Sequence, residues 1–270
     1  TKVTIVSPKV QTTRIRVLGI CMAGRTQLVF IDTPGIFRPR RRLDRAMVSA
    51  AWEGIAAADL TLLLVDAGRG LDADTRRILE RRHDHDAPLV LAINKVDLVR
   101  KPALLSLADS LHREGDFERS FMISAKTGSG VDDMADYFAQ AMPEGPWHFP
   151  EDQVSDMPLR LLAAETTREQ LYLQLHRELP YAAAVETEAW EEGKDGSVTI
   201  RQVIYIERPS QKAIVLGKGG RRIKTLGERA RKELEVLLER RVHLFIFVKV
   251  RENWSEDPER YRDLGLDFDA

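Results

Sequence analysis

Residues 89–97 read Leu89-Val90-Leu91-Ala92-Ile93-Asn94-Lys95-Val96-Asp97: five consecutive apolar side chains, then a polar tetrapeptide. An unbroken apolar run of this length suits a strand buried on both faces, as in a parallel sheet. The tetrapeptide that ends it is NKxD. Its Asp carboxylate can accept two parallel hydrogen bonds from the ring N–H and exocyclic amine of guanine. Adenine offers no donors in that arrangement and would leave the carboxylate desolvated and unpaired. Asn94 can pin the loop and reach the other edge of the base, while the Lys95 stem can lie along the purine face. Four residues alone also fit a blander reading, a polar turn between strand and helix.

Three further motifs stand in order around this one. Gln11-Thr12-Thr13-Arg14 precedes a strand from Ile15 to Ile20, and a Thr hydroxyl there can ligate Mg²⁺ and sense a terminal phosphate. Thr26 to Ile31 reads as a strand ending in Asp32-Thr33-Pro34-Gly35. An Asp in that place suits a water-mediated Mg²⁺ contact, and the Gly35 N–H can face the γ-phosphate. Phe121-Met122-Ile123 ends in Ser124-Ala125-Lys126, whose backbone can complete a guanine pocket. The expected nucleotide-binding residues are Thr12, Thr13, Asp32, Thr33, Pro34, Gly35, Asn94, Lys95, Asp97, Ser124, Ala125 and Lys126. Thr13 and Asp32 are the expected metal ligands, and Thr13, Asp32 and Gly35 the catalytic group, with Mg²⁺ and GTP or GDP as ligands.

A phosphate-cradling GxxxxGK[ST] loop belongs with these motifs. No such string occurs in the chain. Thr1-Lys2-Val3-Thr4-Ile5-Val6 reads like the segment after a P-loop helix, which leads us to expect an N-terminal truncation that removed the first strand and that loop. Ile36 follows the DTPG motif where Ras-type proteins carry a water-orienting Gln. An aliphatic side chain can neither orient nor deprotonate water, so slow intrinsic hydrolysis is expected.

The chain has 270 residues, 43% hydrophobic and 31% charged, which suits two ordinary globular domains. Its one cysteine, Cys21, falls in a predicted strand, where a small core residue is expected; a lone Cys fits a reducing cytoplasm. No signal peptide or membrane-length apolar run appears. His83 and His85 lack metal-ligand partners and are expected on the surface. The net charge of −1 conceals two opposed segments. Residues 208–241 carry eleven Lys/Arg against four Glu, a net of +7, and residues 252–270 carry seven acidic residues against two Arg, a net of −5. The basic segment points to a nucleic-acid partner. The acidic tail reads as solvated surface or as a cap on the basic domain. Arg38-Pro39-Arg40-Arg41-Arg42 reads as a mobile switch, either solvated or in contact with RNA.

Strand runs near 14–22, 26–32, 60–66, 88–94 and 119–124 alternate with helical patterns near 43–57, 72–83, 103–114 and 131–141. Such alternation predicts crossover units and a mostly parallel sheet covered by helices on both faces. Met142 to Pro158 then holds four prolines, and this breaks the pattern. We expect a nucleotide-binding domain over 1–145, a linker over 146–158 and a second domain over 159–270. The second domain reads as a helix (159–175), a hairpin (182–190 and 199–206), a short helix from about 211, a long helix (221–240) and a final strand (242–250).

Between the last two helices lies Ile214-Val215-Leu216-Gly217-Lys218-Gly219-Gly220-Arg221-Arg222-Ile223, a GxxG turn. Glycines let a nucleic-acid backbone approach, and the N–H groups and positive dipole end of the following helix face its phosphates. Ile214, Gly217, Lys218, Gly219, Gly220, Arg221, Arg222, Ile223 and Lys224 are the expected RNA-binding residues. The order helix–strand–strand–helix–helix–strand with this turn is the layout of a type II KH domain, which grips about four unpaired nucleotides. The fold class expected is thus α/β: a P-loop-NTPase-type three-layer G domain followed by an α+β type II KH domain.

A G domain with these motifs joined to one such KH domain resembles the Era family of bacterial ribosome-assembly GTPases. The resemblance rests on residues 11–14, 32–36, 94–97, 124–126 and 214–223 and covers essentially the whole chain. It implies a GTPase that binds single-stranded RNA near the 3′ end of small-subunit (16S) ribosomal RNA and assists assembly of the small ribosomal subunit. It also implies a cytoplasmic monomer with peripheral association at the inner membrane surface. Two other readings stay open on the residues. One is a non-catalytic RNA-binding module with a degenerate G-domain scaffold, which the missing P-loop string allows. The other is a tandem-G-domain assembly GTPase with a KH-like tail, which the single G domain and intact GxxG oppose.

Overall fold

The structure is a computed structural model that describes residues 2–7, 12–82, 87–175 and 179–270. Gln11, His83 and His85 lie outside the described residues. In chain order the elements are β1 (Val17–Ala23), β2 (Thr26–Asp32), α1 (Arg42–Ala56), β3 (Thr61–Asp66), α2 (Ala73–Arg82), β4 (Leu89–Asn94), α3 (Lys101–Glu114), β5 (Arg119–Met122) and α4 (Val131–Ala141). They continue with α5 (Leu159–Gln174), β6 (Ala183–Glu192), β7 (Val198–Ile206), α6 (Pro209–Leu216), α7 (Arg221–Leu237), β8 (Val242–Val250) and α8 (Pro258–Asp263).

Two compact units contain these elements. One comprises Leu18–Arg40 and Met47–Val154; the other comprises Thr1–Val17, Arg41–Ala46 and Ser155–Ala270. In the first, β3, β4 and β5 form a parallel sheet with β4 in the centre. Leu89, Leu91 and Ile93 pack on one face with Leu79 of α2 and Leu104 and Leu111 of α3. Val90 and Ala92 pack on the other with Met134 and Phe138 of α4. Burial on both faces is why this strand tolerates no polar residue before Asn94. Asp66 pairs in register with Asn94, and Ile93 with Met122. The loops after all three strands therefore leave the sheet at one edge, the usual ligand crevice of an α/β sheet.

β1 and β2 form a separate two-stranded sheet joined by Gly24-Arg25, with Gly24 at φ 61°. A two-residue connection holds neighbouring strands antiparallel, so this pair is a hairpin rather than a part of the parallel sheet. Cys21 on β1 is exposed, which corrects the expectation of a core residue. The strand buries Val17, Leu18 and Ile20, and Cys21 takes the outward position of the alternation.

In the second unit the strand order is β6-β7-β8, antiparallel then parallel. Helices α5 and α7 cover the face carrying Ile200, Ile204, Val242 and Val248, with Leu171, Leu226 and Leu234 completing the core. The acidic tail is more than solvated surface. Trp254, Tyr261 and Leu266 are buried, and Asp257 and Glu256 pair with Arg251 and Arg42. An apolar anchor of this kind is not disclosed by composition alone. Arg42 also lies 4.2 Å from the Phe268 ring centroid, whereas Arg38, Arg40 and Arg41 are exposed. No helix among the described residues is long and apolar enough to cross a membrane.

Candidate guanine-nucleotide and RNA sites

Where β4 ends, the chain turns sharply: Lys95 has φ 65° and ψ 35°, a left-handed conformation that non-glycine residues adopt at local cost. Asn94 holds the turn. Its Oδ1 accepts from the Lys95 N–H at 2.7 Å and the Ala125 N–H at 3.0 Å. The Val96 N–H donates to Ile123 O at 3.2 Å. One side chain thereby ties NKxD to Ser124-Ala125-Lys126. Ser124 is 1% exposed and closes its own loop, its N–H donating to Ser129 O at 2.9 Å. Ala125, Lys126 and Asp97 are exposed. Among the described residues no group bonds the Asp97 carboxylate, which leaves its acceptors available to a base.

Lys95 reaches Asp66 at the end of β3, Nζ to Oδ2 2.6 Å. The Lys95 ammonium, with the Gly68 N–H, holds the Asp66 carboxyl below its ordinary pKa, against the opposing effect of partial burial. Sequence reasoning passed over Asp66. The available signal was an acidic residue ending an apolar strand, the same signal that marked Asp32.

Asp32 closes β2, Pro34 is buried and Gly35 is exposed. A Cβ built at Gly35 meets nothing within 4 Å, so its backbone is open to a ligand. Behind the loop α1 approaches closely: a Cβ at Gly54 would stand 2.8 Å from Thr33 Cγ2. Asp32 to Gly35, Asn94 to Asp97 and Ser124 to Lys126 all belong to one unit. Thr12 and Thr13 belong to the other. There Thr12 O accepts from Arg168 at 2.6 Å, and the buried Arg14 donates to Ala183 O at 2.8 Å and Tyr181 O at 2.7 Å.

In that second unit α6 ends at Gly217, with φ 70° and ψ 175°. Gly219 (φ 60°) and Gly220 (φ 73°) follow, and α7 starts at Arg221. A Cβ at Gly217 would lie 2.7 Å from Arg222 Cβ, whereas at Gly219 and Gly220 it meets nothing within 4 Å. Gly217 is thus required by packing and conformation together; the other two keep an open backbone surface. Lys218, Arg221 and Lys224 are exposed. Arg222 is partly committed, donating to Ile214 O at 2.6 Å and closing the end of α6. Ile214 is 49% exposed beside the loop, while Ile223 packs partly into the core.

A strand-end guanine reader on one unit and a GxxG clamp inside an αββααβ domain on the other define a GTP-binding protein with an RNA-binding KH domain. The model of the elongation factor Tu GTP binding domain matches residues 2–144 and that of the KH domain residues 178–255. GTPase Era of Rhizobium meliloti (strain 1021) is 61% identical over 267 residues, covering 99% of this chain and 85% of that protein. GTPase Era of Brucella suis biovar 1 (strain 1330) is 59% identical over 268 residues, covering 99% and 86%. A crystal structure of Era in complex with MgGDPNP and nucleotides 1506–1542 of 16S ribosomal RNA matches with TM-score 0.93 at 36% identity, over 98% of this chain and 90% of that one. A variant of Aquifex aeolicus Era bound to GDP·AlF4⁻ gives TM-score 0.93 at 36% identity, over 98% and 91%. The chain belongs to the Era family of GTPases.

Proposed function

We propose that this chain is a GTP-binding and GTP-hydrolysing switch that binds single-stranded RNA from the 3′ region of 16S ribosomal RNA and assists assembly of the small ribosomal subunit. The observation that carries the reading is Asn94 Oδ1, which joins the NKxD and SAK loops beside the uncommitted Asp97. The relative solved with MgGDPNP and 16S ribosomal RNA supports both the nucleotide and the RNA. We divide the chain into a G domain over 1–145, a linker over 146–158 and the KH domain over 159–270.

The residues fit a magnesium nucleotide on its base and terminal-phosphate sides. Asp97 would take the guanine donors, and the exposed Gly35 N–H would face the terminal phosphate. Thr13 and Asp32 would be the residues to hold Mg²⁺, which when bound would supply positive charge against the charge developing in phosphoryl transfer. Ile36 leaves the water without a side-chain orienter, so turnover is slow until RNA or the ribosomal subunit adds groups. Lys218, Arg221 and Lys224, with the open backbone of Gly219 and Gly220, would clamp the RNA backbone. Action as a cytoplasmic monomer, with a peripheral contact at the inner membrane surface, is supported by the family resemblance alone. The test is competition against fluorescent GTP: unlabelled GTP should displace it and ATP should not. Equal displacement by both overturns the guanine assignment.

A further inference from the structure

The unit containing the KH domain holds a cavity of about 340 Å³ that neither site above uses. Among its described lining residues are the guanidinium groups of Arg14, Arg160, Arg168 and Arg260 against the carboxylates of Glu165 and Glu186, an excess of two positive charges. Three of these arginines are more than nine-tenths buried: Arg14 at 6% exposure, Arg168 at 2% and Arg260 at 6%. Glu165 pairs with Arg168 and Glu186 with Arg260. Arg14 is ion-paired with no carboxylate among the described residues. Its guanidinium donates instead to the carbonyls of Ala183, Tyr181 and Pro180, which satisfy its geometry but not its charge. Burial accordingly lowers the Arg14 pKa from its ordinary value.

Arg260 adds a second sign of an absent partner. Its buried Nε–H makes no hydrogen bond, and the nearby Asp257 Oδ2 stands 3.7 Å away. The group is held firmly, 4.2 Å from the Tyr205 ring centroid. Arg260 lines the cavity, and buried charge without a carboxylate partner, beside an unsatisfied buried donor, is costly unless an anion completes it. Guanidinium forks match phosphate oxygens, and a phosphate monoester carries about −1.5 to −2 charge and three strong acceptors.

We propose that this cavity is a phosphate-binding site, taking inorganic phosphate or a phosphomonoester against Arg260 Nε and the exposed Arg160 at its rim. Arg168 also donates to Thr12 O, so the cavity shares a wall with the segment that carries Thr12 and Thr13.

The experiment titrates the full chain with inorganic phosphate in EDTA, at ionic strength held constant with chloride, and reads the thermal midpoint. Phosphate should raise the midpoint of the unchanged chain. Arg160→Gln should weaken the apparent affinity about tenfold, the expected loss of one charge-assisted bond, and Arg260→Gln should abolish the effect. Arg160 is exposed, so its variant keeps the test valid if Arg260→Gln fails to fold. Absence of stabilisation, or equal stabilisation of the chain and Arg160→Gln, overturns the proposal. A second arm compares short oligoribonucleotides with and without a 5′-phosphate as competitors of the same titration. Competition by the phosphorylated oligonucleotide alone identifies an RNA end as the source; failure of both, with phosphate still bound, identifies a small phosphate compound.

Discussion

Asp97 and Asn94 divide the labour of reading a base. Asn94 spends its acceptor on the Lys95 and Ala125 N–H groups and so fixes the loop, while Asp97 is exposed and uncommitted. Asp97→Asn puts an amide donor opposite one guanine donor. Selectivity for GTP over XTP should fall roughly 10- to 100-fold, the equivalent of one charged hydrogen bond. Competition binding with the two nucleotides reads it, and unchanged selectivity removes Asp97 from the site. Tyr261 illustrates a residue whose chemistry is set by the tail. Its phenol is pushed up to about 12, chiefly by burial, with Glu256 adding and Arg42 opposing. A folded-state pKa above the unfolded one means that the stability from the neutral phenol is fully present below pH 10. That stability is lost as pH rises through 12, on the order of 2 kcal/mol in all. Urea midpoints measured from pH 9 to 12 should fall more steeply for the unchanged chain than for Tyr261→Phe. Parallel curves would show that the phenol does not titrate differently on folding.

Among the elements, the α6–α7 corner separates residues that bind from residues that build. The side chains of Lys218 and Arg221 are exposed, whereas that of Arg222 closes α6 through Ile214 O. Replacing Lys218 or Arg221 by Ala should reduce the salt slope of RNA affinity by about 0.7 per contact on a single strand. Slopes equal to that of the unchanged chain would remove both residues from the interface. Gly217→Ala puts a Cβ 2.7 Å from Arg222 Cβ at φ 70°, so it should lower KH-domain stability by about 1–3 kcal/mol. Thermal melting checks it, and an unchanged midpoint would contradict the packing account. The apolar pattern marks these elements well: β8 runs from Val242 to Val250 as its alternation predicts, and β4 ends at Asn94 where its apolar run stops. Failures fall where no period exists. Arg14 and Arg168 are buried by bonds to carbonyls and one carboxylate, which leave no mark on hydrophobic spacing. Cys21 sits on a hairpin strand with one open face, and Trp254, Tyr261 and Leu266 anchor a tail whose composition looks solvated.

For the molecule as a whole, the guanine and DTPG motifs lie in one unit while Thr12 and Thr13 fall in the unit of the KH domain, Thr12 bonded there through its carbonyl to Arg168. A segment expected to sense the terminal phosphate is therefore held by the RNA-binding unit through Arg14 and Arg168. Linkage requires the effect to run both ways: if nucleotide state changes RNA affinity, RNA changes nucleotide affinity by the same factor. The family could be recognised from sequence because the Gln11–Arg14 motif before the first strand, three strand-end motifs and the GxxG turn occur in fixed order. The attachment of residues 12–17 depends on tertiary contacts far along the chain. The most direct measurement is the affinity of an oligoribonucleotide from the 3′ end of 16S ribosomal RNA for the full chain with Mg²⁺ and a non-hydrolysable GTP analogue, with GDP, and with no nucleotide. The account predicts binding at least about fivefold tighter with the GTP analogue than with GDP. Equal affinities in all three conditions would contradict the switch and leave an RNA-binding module on a G-domain scaffold.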